Sequence, residues 1–396
     1  MTFYVIGIGN KKPNFTAKQQ QNILDTCVFS GGKRHYELVK DYLPKNHQWI
    51  PIQSPMQEVF NAYEEVTASI IVFASGNPLF YGFSNTLKNK YPDAEIVTTP
   101  YFSSIQLLAN AMNINSNQLQ TISVHGRTWK ALDTILIQQK ECIGVLTDAD
   151  KNPATIAKRL LEYGYDNYKM FVGEDIEGEE ERFQEIILKE ATMMRFHSLN
   201  CVILEKIHHR PIDFGVRNTG FKGLPGRPKM ITKMPIRLMT LHYLNILTID
   251  TIWDIGFCTG SISIEAKLKN PDITVVAFEK RPECEAIMIE NQKRLGVPGI
   301  QIVMGDFLEQ NLNRLPKPDA IFIGGHGGKL EQLFLKIAPF LHQKTSIVIN
   351  AVKESSILGF KQGCTKIGYT ITEENTITLD THNPITILKA EIPSRF

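Results

Sequence analysis

The chain lacks the patterns that staple a small fold or cross a membrane. Its six cysteines, Cys27, Cys142, Cys201, Cys258, Cys284 and Cys364, are scattered and form no Cys-x-x-Cys pair. That argues against a disulfide framework and a cysteine zinc site, and no metal is expected. No uninterrupted apolar stretch reaches the ~20 residues of a membrane-spanning helix. Neither sign of charge dominates: 43 Lys and Arg face 41 Asp and Glu, a net charge of +2. The whole molecule therefore offers no electrostatic case for nucleic acid or a membrane surface. Short-period repeats and low-complexity tracts are missing too, which excludes a solenoid. The chain starts directly in an apolar strand, and a cytoplasmic location is expected.

What is present suffices for large cores. Of 396 residues, 43% are hydrophobic and 21% charged, and the length predicts two or three domains. Charge is locally uneven. Glu174, Asp175, Glu177, Glu179, Glu180, Glu181, Glu185 and Glu190 crowd one stretch and are expected on a solvated helix face with its flanking loop. The sign then reverses: His208, His209, Arg210, Arg217, Lys222, Arg227, Lys229, Lys233 and Arg237 face the single acid Asp213. A polyanionic substrate would suit this segment.

Short apolar runs read as buried strands at residues 2–8, 70–74, 95–97, 121–124, 142–146, 169–172 and 200–204. Helical stretches at 16–25, 104–112 and 153–163 lie among them. Residues 208–235, rich in Gly, Pro and basic residues, read as a junction. Strands at 251–255, 274–278, 300–303, 319–323 and 346–351 then alternate with helices at 261–268, 282–295 and 329–341. Two β-rich segments, around 368–378 and 385–391, close the chain as an antiparallel pair. The pattern predicts an α/β protein with domains at 1–207 and 236–396.

The second half carries the sharper chemistry. Thr251 to Gly260 reads as strand, glycine turn and helix start, with Asp254, Gly256, Phe257, Cys258, Thr259 and Gly260 around the turn. Glu279 ends the next strand, where a carboxylate can grip ribose hydroxyls, and Gly305-Asp306 ends the third. Three strand ends therefore point at one crevice. Ile262 and Ser263 stand where a dinucleotide fingerprint needs its third glycine, and Asp254 would repel a pyrophosphate but attract an ammonium group. S-adenosylmethionine fits better than a nicotinamide cofactor. A turn-capping carboxylate is the plainer reading of Asp254. Gly324, Gly325, Gly327 and Gly328 surround His326 after a further strand, a concentration of glycine that suggests either a large neighbour at the backbone or a tight flexible turn.

In the first half Gly7 and Gly9 form another glycine turn, and Ser75 to Gly82, with Gly76, Asn77 and Pro78, forms a second one with no ribose-gripping acid at the usual distance. Ser103 and Ser104 can line a cleft or cap a helix, and His125-Gly126-Arg127 follows a strand.

In this order, Val5 to Gly9, Ser75 to Gly82, Ser103-Ser104, Ser123 to Arg127, Val145 to Asp148 and Gly173-Glu174 resemble the tetrapyrrole methylases of cobalamin biosynthesis. Ile231-Thr232-Lys233, Arg237, Asp254 to Gly260, Glu279, Gly305-Asp306, Gly324-Gly325 and Asn350-Ala351-Val352 resemble their partner methyltransferase. Together they resemble the fused precorrin-6B C5,15-methyltransferase (decarboxylating) family. The resemblance implies a two-lobed tetrapyrrole-methylase domain followed by a Rossmann-like class I methyltransferase domain. It implies S-adenosylmethionine as cofactor, C5 methylation by the first domain, and C15 methylation with loss of the C12-acetate carboxyl by the second. A homo-oligomer, dimer or tetramer, is implied as well. Carried over by position, the cofactor contacts are Thr232, Asp254, the Gly256 to Gly260 turn, Glu279, Asp306 and Phe307 in the second domain. In the first they are Gly7, Gly9, Gly76, Asn77, Pro78, Ser103 and Ser104. Arg237, Gly324, Gly325 and His326 are the substrate-side candidates.

Three positions depart from the family pattern: Asn10 replaces a proline, Asn77 an acid and Pro235 a glutamate. Two other readings of the residues stay open, a methyltransferase acting on RNA or another substrate and a nucleoside-binding regulator without turnover.

Overall fold

The computed structural model describes residues 1–211, 213–228, 230–379 and 383–393. The chain divides into two compact units, one of Met1–Arg127, Lys140–Lys158 and Tyr168–Ile207, the other of Thr128–Gln139, Arg159–Asn167 and His208–Phe396. Two segments before residue 208 thus group with the second unit, across the boundary expected from sequence. Polar contacts hold them there: the Thr134 hydroxyl donates to Pro271 O at 3.0 Å, the Tyr165 hydroxyl to Gly296 O at 2.7 Å, and Lys293 pairs with Glu162 at 2.9 Å.

The first unit holds two sheets. Strands β1 (Thr2–Ile8), β2 (Val28–Gly31), β3 (Gln48–Pro51), β4 (Ile70–Ser75) and β5 (Glu95–Thr99) form a parallel sheet in the order β3-β2-β4-β1-β5. Alternate residues feed two cores: Phe3, Val5, Ile70 and Val72 on one face, and Ile6, Ile8, Ile71 and Phe73 on the other. Both faces are covered, as an all-parallel sheet requires. Strands β2 and β3, four residues each, are absent from the sequence reading.

Strands β6 (Leu119–Ser123), β7 (Cys142–Leu146), β8 (Tyr168–Glu174), β9 (Arg182–Ile186) and β10 (Asn200–Lys206) form the second sheet, in the order β6-β7-β10-β8-β9. Only β6 and β7 are parallel. The acidic run is therefore not the expected helix face. Glu174 ends β8, Asp175 to Glu181 form the turn of the β8–β9 hairpin, Glu185 lies in β9 and only Glu190 in a short helix, Leu188–Ala191, because pairing with β8 outweighs the local pattern. Glu174 is buried, accepting from the Arg182 guanidinium at 2.6 Å, Gln184 Nε2 at 2.9 Å and His197 N at 2.6 Å.

In the second unit β11 (Thr251–Ile255), β12 (Thr274–Glu279), β13 (Gln301–Met304), β14 (Ala320–Ile323), β15 (Ser346–Ala351), β16 (Thr370–Ile377) and β17 (Ile385–Glu391) form one sheet. Its order is β13-β12-β11-β14-β15-β17-β16; the first five strands are parallel, and β17 runs antiparallel to β15 and β16. Ile252, Val275, Phe322 and Val348 pack on one face, while Trp253, Val276, Ile321 and Ile347 pack on the other. No helix among the described residues is long and apolar enough to cross a membrane.

Candidate functional site

The five parallel strand ends of the second unit open on one cavity of about 600 Å³. Its lining includes Asp254 from β11, Glu279 from β12, Gly305 and Asp306 after β13, Gly324 after β14 and Asn350 from β15. A ligand crevice at the carboxyl ends of parallel strands follows from the crossover topology. The turn after β11 is built for close approach. Gly256 has φ +81°, and a Cβ there would stand 2.6 Å from Gly325 N. The glycine loop after β14 thus has its large neighbour: it is the backbone of the Gly256 turn.

Two carboxylates set the electrostatics. Asp254 is buried and accepts from the Ser263 hydroxyl at 2.5 Å through Oδ2, while Oδ1 has no partner among the described residues. Burial pushes its pKa up to about 7; Ser263 opposes that shift and the nearby Glu279 charge adds to it. Glu279 behaves differently. Burial pushes it upward, but hydrogen bonds from Arg281 and the Cys258 amide outweigh that effect and hold it below the usual carboxylate value. Arg281 Nη2 donates to Oε2 at 2.7 Å and Cys258 N at 3.0 Å. The cavity therefore presents an ionised, oriented carboxylate beside one that a cation would ionise.

Thr232, Phe257, Cys258, Thr259, Phe307, Gly325 and His326 also line the cavity. Thr259 Oγ1, buried, has no partner among the described residues. His326 Nδ1 accepts from Gly328 N at 3.1 Å, and its Nε2 lies 3.2 Å from the Ser356 hydroxyl. Burial lowers its pKa, so the ring is neutral with its hydrogen on Nε2.

Two expected residues lie elsewhere. Gly260 does not line the cavity; a Cβ there would meet Met288 Sδ at 1.8 Å, so it is glycine to let the turn pack on helix Glu283–Leu295. Arg237, expected to meet substrate, is sealed in the core with both it and Glu265 at 0% side-chain exposure. It donates to Glu265 Oε2 at 2.7 Å, Thr232 O at 2.6 Å and Asn218 Oδ1 at 3.2 Å, as well as to Val216 O, and its guanidinium lies over the Phe221 ring. Arg237 thus ties down the 216–232 segment, whose Met230, Ile231 and Thr232 line the cavity. Other cations of the basic stretch are also engaged: Arg210 lies over Tyr165, and Lys222 pairs with Glu290. Lys229 lies outside the described residues. Pro235 sits exposed in the first turn of helix Met234–Tyr243, where no amide donor is needed, and does not line the cavity.

The first unit has its own cavity, about 700 Å³, lined from both of its sheets. Gly9, Gly76, Asn77, Ser103 and Ser104 line it; Gly7 and Pro78 do not. Gly7 is glycine because a Cβ would stand 2.0 Å from Gly76 O, and Pro78 packs beside it. Ser103 caps helix Ser104–Ala111 in a capping box with Gln106. Asn77 Oδ1 accepts from Leu79 N, and Asn10 donates to Asp175 at 2.7 Å. Glu177 enters unforeseen, on a left-handed backbone with φ 64°. Its Oε1 takes Tyr101 at 2.6 Å and Lys11 at 2.9 Å, and its buried Oε2 has no hydrogen-bond partner among the described residues. Arg34 and His35 also line this cavity and were missed. Their signal was present, since Val28-Phe29-Ser30-Gly31-Gly32 is one more strand running into glycine and a helix start.

Two glycine-framed cavities at strand ends, each with a carboxylate oxygen that has no partner among the described residues, are the candidate sites of the two units. Two family models match the chain: Tetrapyrrole (Corrin/Porphyrin) Methylases over residues 2–192 and Precorrin methyltransferase domain over residues 227–389. A precorrin-6Y C(5,15)-methyltransferase (decarboxylating) of Sinorhizobium sp is 30% identical over 356 residues, 88% of this chain and 84% of the relative. The chain belongs to that methyltransferase family. A cobalt-precorrin-6B C(15)-methyltransferase (decarboxylating) of Salmonella typhimurium is 31% identical over 134 residues, 34% of this chain and 68% of the relative. A crystal structure of precorrin-6y C5,15-methyltransferase from Geobacter metallireducens has 29% identity and a TM-score of 0.42, covering 45% of this chain and 97% of its own.

Proposed function

We propose that each unit performs one S-adenosylmethionine-dependent C-methylation of a precorrin in cobalamin biosynthesis. The second unit acts at C15 and removes the C12-acetate carboxyl; the first acts at C5. The observation that carries this is the pair of separate cavities, each of nucleoside size and each with an acid lacking a partner at one oxygen, Asp254 Oδ1 and Glu177 Oε2. These residues fit the cofactor, whose ammonium group and ribose hydroxyls bring the missing partners. When bound, it supplies an electrophilic methyl group on a sulfonium. In the second unit Glu279 would hold the ribose, Asp254 and Thr259 the amino-acid end, and Thr232, Phe257, Asp306 and Phe307 the remaining walls.

The chemistry asks these residues for alignment rather than for a strong base. Enamine-like ring carbons are already nucleophilic; the carbon–methyl bond forms with their electron pair as the sulfur–methyl bond breaks. For decarboxylation the carbon–carboxyl bond breaks, its pair enters the conjugated ring, and a proton returns to the side-chain carbon. His326 lines the cavity as a neutral ring whose one N–H is held by the Ser356 hydroxyl, so it contributes shape rather than a free proton.

The test uses the full chain, methyl-labelled cofactor and two glycine variants. Wild type should place two labelled methyls and release one carbon dioxide. In Gly256→Val the new side chain would wedge the Gly256 and Gly325 backbones apart. C15 transfer and carbon dioxide release should fall at least ~100-fold, as misplacement of reacting groups does, while C5 transfer to an already decarboxylated substrate persists. Gly9→Val, whose Cβ would stand 1.9 Å from Glu177 Oε2, should show the reverse. Loss of both methyls in either variant refutes the division of labour.

A further inference from the structure

We propose that Arg34 and the Ser75 hydroxyl form a subsite for one carboxylate of the substrate on the first unit's cavity, with His35 as the positioning residue that aims the hydroxyl. The inference rests on reading the first unit as a precorrin methyltransferase.

Helix Lys33–Val39 begins two residues after β2, and its first turn brings Arg34 and His35 to Ser75 at the end of β4. Arg34 Nη2 donates to Ser75 Oγ at 2.8 Å, and His35 Nε2 lies 2.9 Å from the same oxygen. The tautomer follows from the other ring nitrogen: Nδ1 accepts the Gly32 amide at 3.1 Å, so a neutral ring carries its hydrogen on Nε2. Burial, and then the charge of Arg34, lower the His35 pKa to about 4, which keeps the ring neutral. Ser75 Oγ thus accepts two hydrogen bonds, both its lone pairs are used, and its own hydrogen points away from both donors. Among the described residues no protein acceptor takes that hydrogen, and no carboxylate lies within ion-pairing distance of Arg34.

Charge then selects the ligand. The acids nearest this corner are committed: Asp148 accepts from the amides of Gly126, Asp150 and Lys151, Glu177 Oε1 holds Tyr101 and Lys11, and Asp175 holds Asn10. Arg34 has free N–H groups beside an outward hydroxyl hydrogen, and Asp175, already held by Asn10, reaches its charge only through space. Donors only, with a positive charge and a planar fork, are the complement of a carboxylate. A precorrin carries acetate and propionate groups, and gripping one would orient the ring at the cofactor.

The test compares full-chain wild type, Arg34→Gln and Arg34→Lys in C5 transfer. Arg34→Gln should raise KM about 30-fold, the scale of a lost charge-assisted hydrogen bond, with kcat little changed and C15 transfer and decarboxylation unaffected. Arg34→Lys, which keeps charge but loses the fork, should raise KM about 5-fold. With a substrate analogue whose side-chain carboxylates are amidated, wild type should lose the same ~30-fold and Arg34→Gln nothing further. An unchanged KM in both variants, or an equal further loss by Arg34→Gln on the amide, overturns the subsite. If Arg34→Gln unfolds its unit, Arg34→Lys decides alone. Absence of C5 transfer by wild type would instead defeat the reading of the first unit.

Discussion

Replacing Asp254 with asparagine should weaken S-adenosylmethionine binding at the second unit at least ~100-fold, the usual scale for removing one member of a buried charge pair, while making the ligand-free protein more stable at neutral pH. Both effects come from one carboxyl. Its folded pKa of about 7 lies above the ordinary value of 3.8, so the folded state binds the proton more tightly than the unfolded state does. Stability therefore falls as pH rises from about 4 to about 7, and the full cost, roughly 2–4 kcal/mol, is present above that window. The amide of Asp254→Asn carries no such cost, so the variant should gain stability at pH 8 and match wild type near pH 4. A cationic ligand reverses the preference and ionises the wild-type carboxyl. Calorimetry at pH 6 in buffers of different ionisation enthalpy should show nearly one proton released per cofactor bound there, and none in the variant. Tight binding by the variant, or no proton release by wild type, would remove Asp254 from the site.

Arg237→Met should destabilise the second unit by about 3–5 kcal/mol, because Glu265 would be left as a buried charge without its partner. For a unit of this size that corresponds to a fall of roughly 10 °C in the melting transition seen by scanning calorimetry. Adding Glu265→Gln should recover much of the loss, since a neutral pair leaves no buried charge. A substrate-binding arginine would behave in the opposite way, raising KM without moving the transition. A shift below about 2 °C in Arg237→Met would overturn the structural role.

The sequence reached far into the second unit. Its strands are short apolar runs separated by helical periods, and the Asp254 to Gly260 turn, Glu279 and Asp306 stand next to those runs, so local pattern and site coincide. Even there it misjudged Gly260, since only the fold shows Met288 on the far side of the turn. Arg237 misled for a related reason. A basic residue in a basic segment looks solvent-facing until Glu265 is found opposite it, 28 residues on. The acidic run misled because helix and hairpin differ by what pairs with them, and β8 lies outside the window that suggested a helix.

By itself, then, the sequence determined the α/β class, the glycine turns at the strand ends and the family, because these depend on residues close together along the chain: an apolar run, a glycine with room for φ above zero, an acid at the next strand end. Only the tertiary structure decided which charges are spent and which are free. Burial and pairing join residues distant in sequence, and so Arg237 became part of the core while Arg34, beside Ser75, 41 residues away, was left facing the cavity.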